Sequence, residues 1–330
     1  MTTRILIGDV RAKLAELPDE SVHCVVTSPP YFGLRDYGTA SWEGGDPACD
    51  HVEKNARNDV SAEDLARRAA QSSAGTGDGS KVKPMQFKGA CNKCGAIRAD
   101  KQIGLEDTPA AFVAVMVEVF REVRRVLRND GTLWLNLGDS YAVRAQSRSD
   151  DYIARTGGNT GLNAKNIRAH ERTGYGDAKQ KDLLGIPWRV AFALQDAGWY
   201  LRQEIIWRKP TPAAEGRASA SRFTRAHESL FMLTKSYRYK FKDDRRLRSV
   251  WDIEPAAGNG LHFATFPDEL PRRCIEVASS VGDVVLDPFH GSGTTGRVAE
   301  SMGRNWVACE LYSKYAPLQQ ARTAQAALAV

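Results

Sequence analysis

The chain has 330 residues, 42% of them apolar, enough to bury a full core in one large domain with an insertion or in two domains. No run approaches the roughly 18 apolar residues of a membrane span, and the start lacks the basic and apolar regions of an export signal, so a cytoplasmic protein without a membrane partner is expected. The formal charge of +6 is uneven: residues 201–250 hold 13 Lys or Arg against 5 Asp or Glu, so the remainder is slightly acidic. Trp207, Phe223, Tyr237, Tyr239 and Phe241 are interleaved with those basic residues, a composition that suits a nucleic-acid surface.

In chain order, residues 4–7 read as a short apolar strand, 10–17 as an amphipathic helix and 22–27 as a buried strand that ends at Pro29-Pro30. Residues 53–90, rich in Ala, Ser, Gly, Asp and Lys, read as a loose surface insertion. Thr108 suits an N-cap and Pro109 the first helical position. Apolar residues then recur at helical spacing from Phe112 to Leu127, and Asn129-Asp130-Gly131 is expected to stop the helix before a strand over 132–137. Residues 143–182 read as a long mobile loop. A helix over 187–197, strands over 200–207 and 228–234, a helix over 268–279, a strand over 283–286, a helix over 295–302, a strand over 306–309 and a closing helix complete the pattern.

Six cysteines without an export signal argue against a disulfide framework. Cys24, Cys274 and Cys309 sit in apolar stretches and read as core residues. Cys49-Asp50-His51 and Cys91-Asn92-Lys93-Cys94 differ: a C-x-H pair and a C-x-x-C pair flank the insertion, and Cys49, His51, Cys91 and Cys94 together supply the four ligands of a structural zinc site.

Gly291, Gly293 and Gly296 form G-x-G-x-x-G between a strand and a helix, and Glu310 closes the next strand 17 residues after Gly293. Glycines there admit a close ligand, and the acid at the following strand tip accepts ribose hydroxyls; the pattern alone serves NAD as well as other nucleotide cofactors. It is not a phosphate loop of the Walker type, because no Lys-Ser or Lys-Thr follows the glycines. Only 35 residues follow Thr295, so most strands of the sheet must come from earlier in the chain, and the order is circularly rearranged. That puts the first strand near the nucleotide pocket and makes Gly8 and Asp9 candidate cofactor neighbours.

With Ser28-Pro29-Pro30-Tyr31 near the start and Asp287-Pro288-Phe289-His290-Gly291-Ser292-Gly293-Thr294-Thr295 near the end, the chain resembles the β-class DNA amino-methyltransferases. The resemblance implies an α/β fold with a Rossmann-like methyltransferase sheet, circularly rearranged, and S-adenosylmethionine as methyl donor. Asp9, Asp287, Phe289, Gly291, Ser292, Gly293, Thr294, Thr295 and Glu310 would hold the cofactor, with Phe266 and Pro267 of the His262 to Pro267 stretch. The domains expected are residues 1–48 with 100–142 as the first part of the catalytic domain, 49–99 as the zinc-knuckle-like insertion, 143–250 as the target-recognition region and 251–330 as the cofactor-binding part. Double-stranded DNA is the implied partner and a homodimer is expected.

An exocyclic base amine is a poor nucleophile because its lone pair is delocalised into the ring. The Ser28 side chain and the Pro29 carbonyl could each accept one N–H, aiming the lone pair at the sulfonium methyl. Pro29 and Pro30 fix the backbone, Tyr31 can stack on the base, and the base must be flipped out of the duplex. Ser before Pro-Pro-Tyr is often associated with N4-cytosine enzymes of this family, but the wider context from Tyr31 to Tyr37 resembles enzymes that include adenine methylators, so N6 of adenine is expected ahead of N4 of cytosine. Arg208, Lys209, Arg217, Arg222 and Arg225 are candidate phosphate contacts, and His227 and Glu228 read as structural. Two other classes compete: an NAD-dependent oxidoreductase, which has no use for residues 28–31, and a DNA-binding regulator on a dead methyltransferase fold, disfavoured by the intact motifs.

Overall fold

The computed structural model describes residues 3–33, 41–51, 90–91, 93–142, 178–179, 181–212, 222–242, 248–256, 266–312 and 319. The bulk of the 53–90 insertion, nearly all of the 143–182 loop, Arg217, His262, residues 34–37 and most of the closing helix lie outside the described residues.

One sheet is built from β1 (Arg4–Ile7), β2 (Val22–Thr27), β5 (Leu127–Leu137), β6 (Tyr200–Arg208), β7 (His227–Thr234), β8 (Val250–Asp252), β9 (Val284–Asp287) and β10 (Asn305–Glu310). Its eight strands lie in the order β1-β10-β9-β2-β5-β7-β6-β8. Only β7 runs antiparallel to its neighbours. The first strand lies beside the last and β2 beside β9, which is the circular rearrangement that the position of the glycine turn demands. A separate antiparallel pair, β3 (Ser41–Glu43) and β4 (Ile97–Ala99), stands outside this sheet.

The central strands are buried on both faces, as parallel strands between helices must be. Along β2, Val22 and Val25 join one core and Cys24 and Val26 the other; along β10, Val307 and Cys309 join the first and Trp306 and Ala308 the second. The first core is closed by α1 (Val10–Ala15), α2 (Pro109–Val126) and α3 (Ile186–Asp196). The second is closed by α4 (Glu269–Ala278) and α5 (Thr294–Ser301). In α2 the Thr108 hydroxyl accepts from Ala111 N at 3.1 Å and Pro109 occupies the first turn. Phe112, Met116, Val119, Phe120 and Val123 make one buried stripe, each side chain contributing on the order of 2 kcal/mol. Cys24, Cys274 and Cys309 are buried in these cores, as their apolar surroundings predict.

Two expectations change. Asn129-Asp130-Gly131 does not separate helix from strand: Leu127 is already extended, and the three residues sit in β5 where the pairing slips from Val22↔Leu127 to Cys24↔Thr132. The polar triplet makes a bulge in the strand. In addition, β6 and β7 fall inside the 143–250 stretch yet are strands of the main sheet, so that stretch contributes to the same fold. Among the described residues no helix is long and apolar enough to cross a membrane.

Candidate active site

The carboxyl ends of β9, β10, β1 and β2 meet at one edge of the sheet, where ligands of open α/β sheets bind. After β9 the chain turns through Gly291 to Gly293 into α5. Gly293 caps that helix at φ +88°, a conformation other residues enter only with strain, and a Cβ there would come 3.3 Å from His290 Nε2. The buried Ser292 and Thr294 hydroxyls flank it, 3.3 Å apart. His290 lies beneath the turn, stacked on Trp306 at 5.1 Å, and burial brings its imidazole down to about 4.

Glu310 ends β10 and accepts the Gly291 N–H at 2.8 Å and the Tyr312 N–H at 2.9 Å. Burial raises its carboxyl to about 7, against the lowering effect of those N–H groups. Gly8 N donates to Glu310 O at 2.8 Å, which holds the end of β1 beside it. Asp9 follows, but its carboxylate accepts Arg11 N at 3.0 Å and the Arg11 guanidinium at 3.1 and 3.0 Å, capping α1. Burial would raise Asp9, and the bonds to Arg11 outweigh it and leave it lowered. Phe266 packs against the second core, and Pro267 starts the turn into α4.

Asp287 connects this turn to the other motif. Its Oδ1 accepts the Thr27 hydroxyl at 2.7 Å and the Phe289 N–H at 3.0 Å. Burial raises the carboxyl to about 6. Thr295 Oγ1 donates to Val26 O at 3.3 Å, which ties α5 to β2 as the Thr27 bond ties β9 to β2. Ser28 comes directly after Thr27, so residues from the two ends of the chain lie one peptide apart across this bond.

Around Ser28 the side chains form a polar network. Ser28 Oγ donates to Tyr31 OH at 3.2 Å, and Tyr31 OH donates to Glu228 Oε2 at 2.5 Å. Asn136 Nδ2 donates to Tyr31 OH at 2.8 Å and to Glu228 Oε2 at 2.9 Å. Lys209 pairs with the other Glu228 oxygen and lies 4.7 Å over the Trp207 ring. Gly138 lets the Tyr31 ring approach: a Cβ there would stand 2.4 Å from Cε2. From sequence alone Asn136 does not stand out and Glu228 reads as structural. The available signals were an Asn inside the apolar run Leu133 to Leu137 and a Glu at the head of an apolar strand.

Among the described basic candidates, Arg208, Lys209 and Arg225 each have an acidic partner within the chain. Arg208 is bidentate to Asp252 at 2.5 Å, and Lys209 faces Glu228, so both have acidic partners within the chain. Arg222 lies 3.9 Å over the Tyr141 ring and Arg225 5.7 Å from it, with Arg225 3.7 Å from Asp139. Phe223 between them is 98% exposed.

Cys49, His51, Cys91 and Cys94 come together although 38 residues separate the described halves, and their ligand atoms lie within 4.8 Å of one another. Zinc bonds of about 2.3 Å to sulfur and about 2.0 Å to nitrogen in a tetrahedron require S···S near ~3.8 Å and S···N near ~3.5 Å. Cys49 Sγ to Cys91 Sγ is 3.8 Å and Cys94 Sγ to His51 Nδ1 is 3.4 Å. The β3–β4 pair brings the halves together, and Trp42 of β3 stacks on His51 at 5.0 Å.

A doubly wound sheet with an adenosine-type turn at one edge and a polar network around Ser28 defines a methyltransferase of the Rossmann-like class. A family model described as DNA methylase, of the N6/N4 class, matches residues 22–321. The chain is 38% identical to the type II methyltransferase M.XycI of Xanthomonas campestris pv. cyanopsidis, with 94% of this chain and 84% of that one covered. It is 36% identical to M.SmaI of Serratia marcescens, with 97% and 90% covered. Its fold superposes on the PvuII cytosine-N4-specific DNA methyltransferase with a TM-score of 0.60 at 17% identity, covering 98% and 86%. The TTHA0409 protein of Thermus thermophilus complexed with S-adenosyl-L-methionine gives 0.55 at 24%, covering 98% and 94%. The chain belongs to the N6/N4 DNA methylase family.

Proposed function

We propose that the protein transfers a methyl group from S-adenosylmethionine to the exocyclic N4 of a cytosine flipped out of double-stranded DNA at a specific site. The Thr27–Asp287 bond supports this reading, because it ties the residue before Ser28 to the strand end that leads into the glycine turn. The residues suit the cofactor: the N-terminal amides of α5 and the glycine turn face a carboxylate well, and Glu310 at the tip of β10 can accept ribose hydroxyls. Asp287, Phe289, Gly291 to Thr295, Phe266 and Pro267 line the remainder, and Asp9 contributes through the backbone at the end of β1. When bound, S-adenosylmethionine supplies an electrophilic methyl group on a sulfonium. The chain's own task is to hold the amine: Ser28 Oγ accepts one N–H and the Pro29 carbonyl the other.

The sequence context from Tyr31 to Tyr37 favours adenine, whereas Ser28 itself favours cytosine. Ser28 is the group proposed at the amine, and Ser before Pro-Pro-Tyr is often associated in this family with N4 of cytosine, although the Ser form occurs in adenine enzymes too. N6 of adenine is the second reading and would use every residue named here. Nucleoside mass spectrometry of DNA from cells expressing the protein tests both: N4-methylcytosine is expected, N6-methyladenine alone would reassign the base, and neither would refute the function.

Arg222 and Arg225 supply phosphate contacts beside Tyr141, and a structural zinc closes the Cys49, His51, Cys91 and Cys94 cluster. Freshly purified protein is expected to hold about one zinc per chain, and Cys94→Ala is expected to lose it and to open the insertion to proteolysis. Metal analysis showing no zinc in the unaltered protein would contradict this.

Glu310 gives the cofactor site a pH dependence. An acid raised to about 7 is largely protonated below that pH and then offers fewer acceptor lone pairs to the ribose. Binding of S-adenosylmethionine is therefore expected to tighten with rising pH up to about 7, by at most about tenfold per unit, and then level off. Calorimetry across pH 6.5–8.5 checks it, with Glu310→Gln expected to flatten the slope there; at lower pH Asp287, raised to about 6, titrates as well.

A further inference from the structure

We infer that Glu228 is a positioning residue for methyl transfer, acting through Tyr31 on Ser28 and receiving the proton that the amine releases. This rests on the function proposed above and assigns roles to three residues that it leaves unused: Glu228, Asn136 and Lys209.

A serine hydroxyl is a weaker acceptor for an amine N–H than a carboxylate. Here Ser28 Oγ spends its own hydrogen on Tyr31 OH at 3.2 Å, so its lone pairs remain for the substrate. Tyr31 OH in turn donates at 2.5 Å to Glu228 Oε2, and each bond in such a chain polarises the next. The negative charge thus reaches Ser28 through two hydroxyls. Asn136, buried on β5, donates to both Tyr31 OH and Glu228 Oε2, which fixes the direction of the chain: with that N–H arriving, the Tyr31 hydrogen can point only to Glu228. Lys209 holds the other Glu228 oxygen in place. Lys209 and Glu228 have side chains 22% and 14% exposed, so the pair is partly shielded from solvent.

The amine nitrogen forms a C–N bond to the methyl carbon while the C–S bond breaks, its electron pair remaining on sulfur. The nitrogen then carries one proton too many. That proton passes to Ser28 Oγ, the Ser28 hydrogen to Tyr31 oxygen, and the Tyr31 hydrogen to Glu228 Oε2. One proton has moved from base to Glu228, both hydroxyls are restored, and Glu228 later returns the proton to water. No further reactant is needed.

The test compares the unaltered protein with Glu228→Gln, Glu228→Asp, Tyr31→Phe and the double variant Glu228→Gln/Tyr31→Phe, in radiolabelled methyl transfer to duplex DNA. Glu228→Gln and Tyr31→Phe are each expected to lower kcat by about 100-fold with KM for DNA changed less than about threefold. The double variant is expected to be no slower than the slower single, because both cut one chain, and Glu228→Asp to recover about tenfold of the loss. Glu228→Gln leaves Lys209 without its carboxylate, so Glu228→Gln/Lys209→Met is measured beside it and is expected to show the same kcat. Independently of turnover, proton NMR of the protein without substrates is expected to show a far-downfield hydroxyl resonance that vanishes in Tyr31→Phe and moves upfield in Glu228→Gln. An active parent with kcat kept within about threefold in Glu228→Gln, a loss confined to KM, or losses that multiply in the double variant would overturn the relay alone. A parent that methylates no DNA would overturn the proposed function and the relay with it.

Discussion

Replacing Ser28 by alanine is expected to lower kcat by about 100- to 1000-fold while affinity for S-adenosylmethionine changes little. In the proposed site the hydroxyl stands where the amine must lose its planarity, so its bond would gain strength as the transition state forms. The proposed cofactor site, by contrast, is the turn after β9 with Glu310, and Ser28 is not among the described hydrogen-bond partners of either. The substitution removes a donor to Tyr31 OH that still accepts from Asn136, so little stability is at stake. Single-turnover methylation with calorimetry of cofactor binding separates the two quantities. A Ser28→Ala protein with unchanged single-turnover rate would remove this residue from the chemistry.

Asp287 is expected to show the other large effect, and two substitutions divide its roles. Asp287→Ala strands the Thr27 hydroxyl and the Phe289 N–H in a buried place, at a cost of about 1–3 kcal/mol for each. It also releases β2 from the cofactor turn, so lowered thermal stability and lost cofactor binding should coincide. Asp287→Asn keeps a carbonyl oxygen for both donors and removes a charge whose burial is unfavourable, as the rise to about 6 records. Its melting temperature should stay near that of the parent while affinity for the cationic cofactor falls. Thermal melts with and without S-adenosylmethionine read both, and an unstable Asp287→Asn protein would mean that the charge itself holds the fold.

Much of this arrangement was written locally in the chain. β2, β9 and β10 are short runs whose neighbours in sequence punctuate them, and α2 carries its own cap and proline. The strands without a sequence signal, β3, β4 and β8, are three residues long, too short to establish an alternation. The start of β5 differs from expectation because Asn-Asp-Gly is as suitable for a bulge as for a helix stop. The motifs at 28–31 and 287–295 were legible because each is contiguous and its chemistry depends on neighbours.

Glu228 and Asn136 were not legible as site residues for the opposite reason. Their proposed meaning comes from the pairing of β5 with β7, where Asn136 faces Leu230, two places from Glu228, and from a tyrosine 197 positions from Glu228 and 105 from Asn136. Lys209 illustrates the same limit. In sequence it is one of 13 basic residues between 201 and 250, and only the register Trp207↔Glu228 reveals that it stands beside an acid. The zinc ligands lie between these cases: each pair is a local signal, whereas their convergence across the insertion depends on the β3–β4 pairing.

The central claim is that the two motifs, from opposite ends of the chain, line one pocket. A crystal structure of the protein with S-adenosylhomocysteine and a duplex carrying its target site measures this most directly. The expected result is a ribose on Glu310, an amino-acid carboxylate at the start of α5 and a flipped base whose amine lies within hydrogen-bond reach of Ser28 Oγ, with the cofactor sulfur on the far side of the nitrogen. A cofactor bound away from residues 287–295, or a base whose amine is out of reach of Ser28, would contradict it.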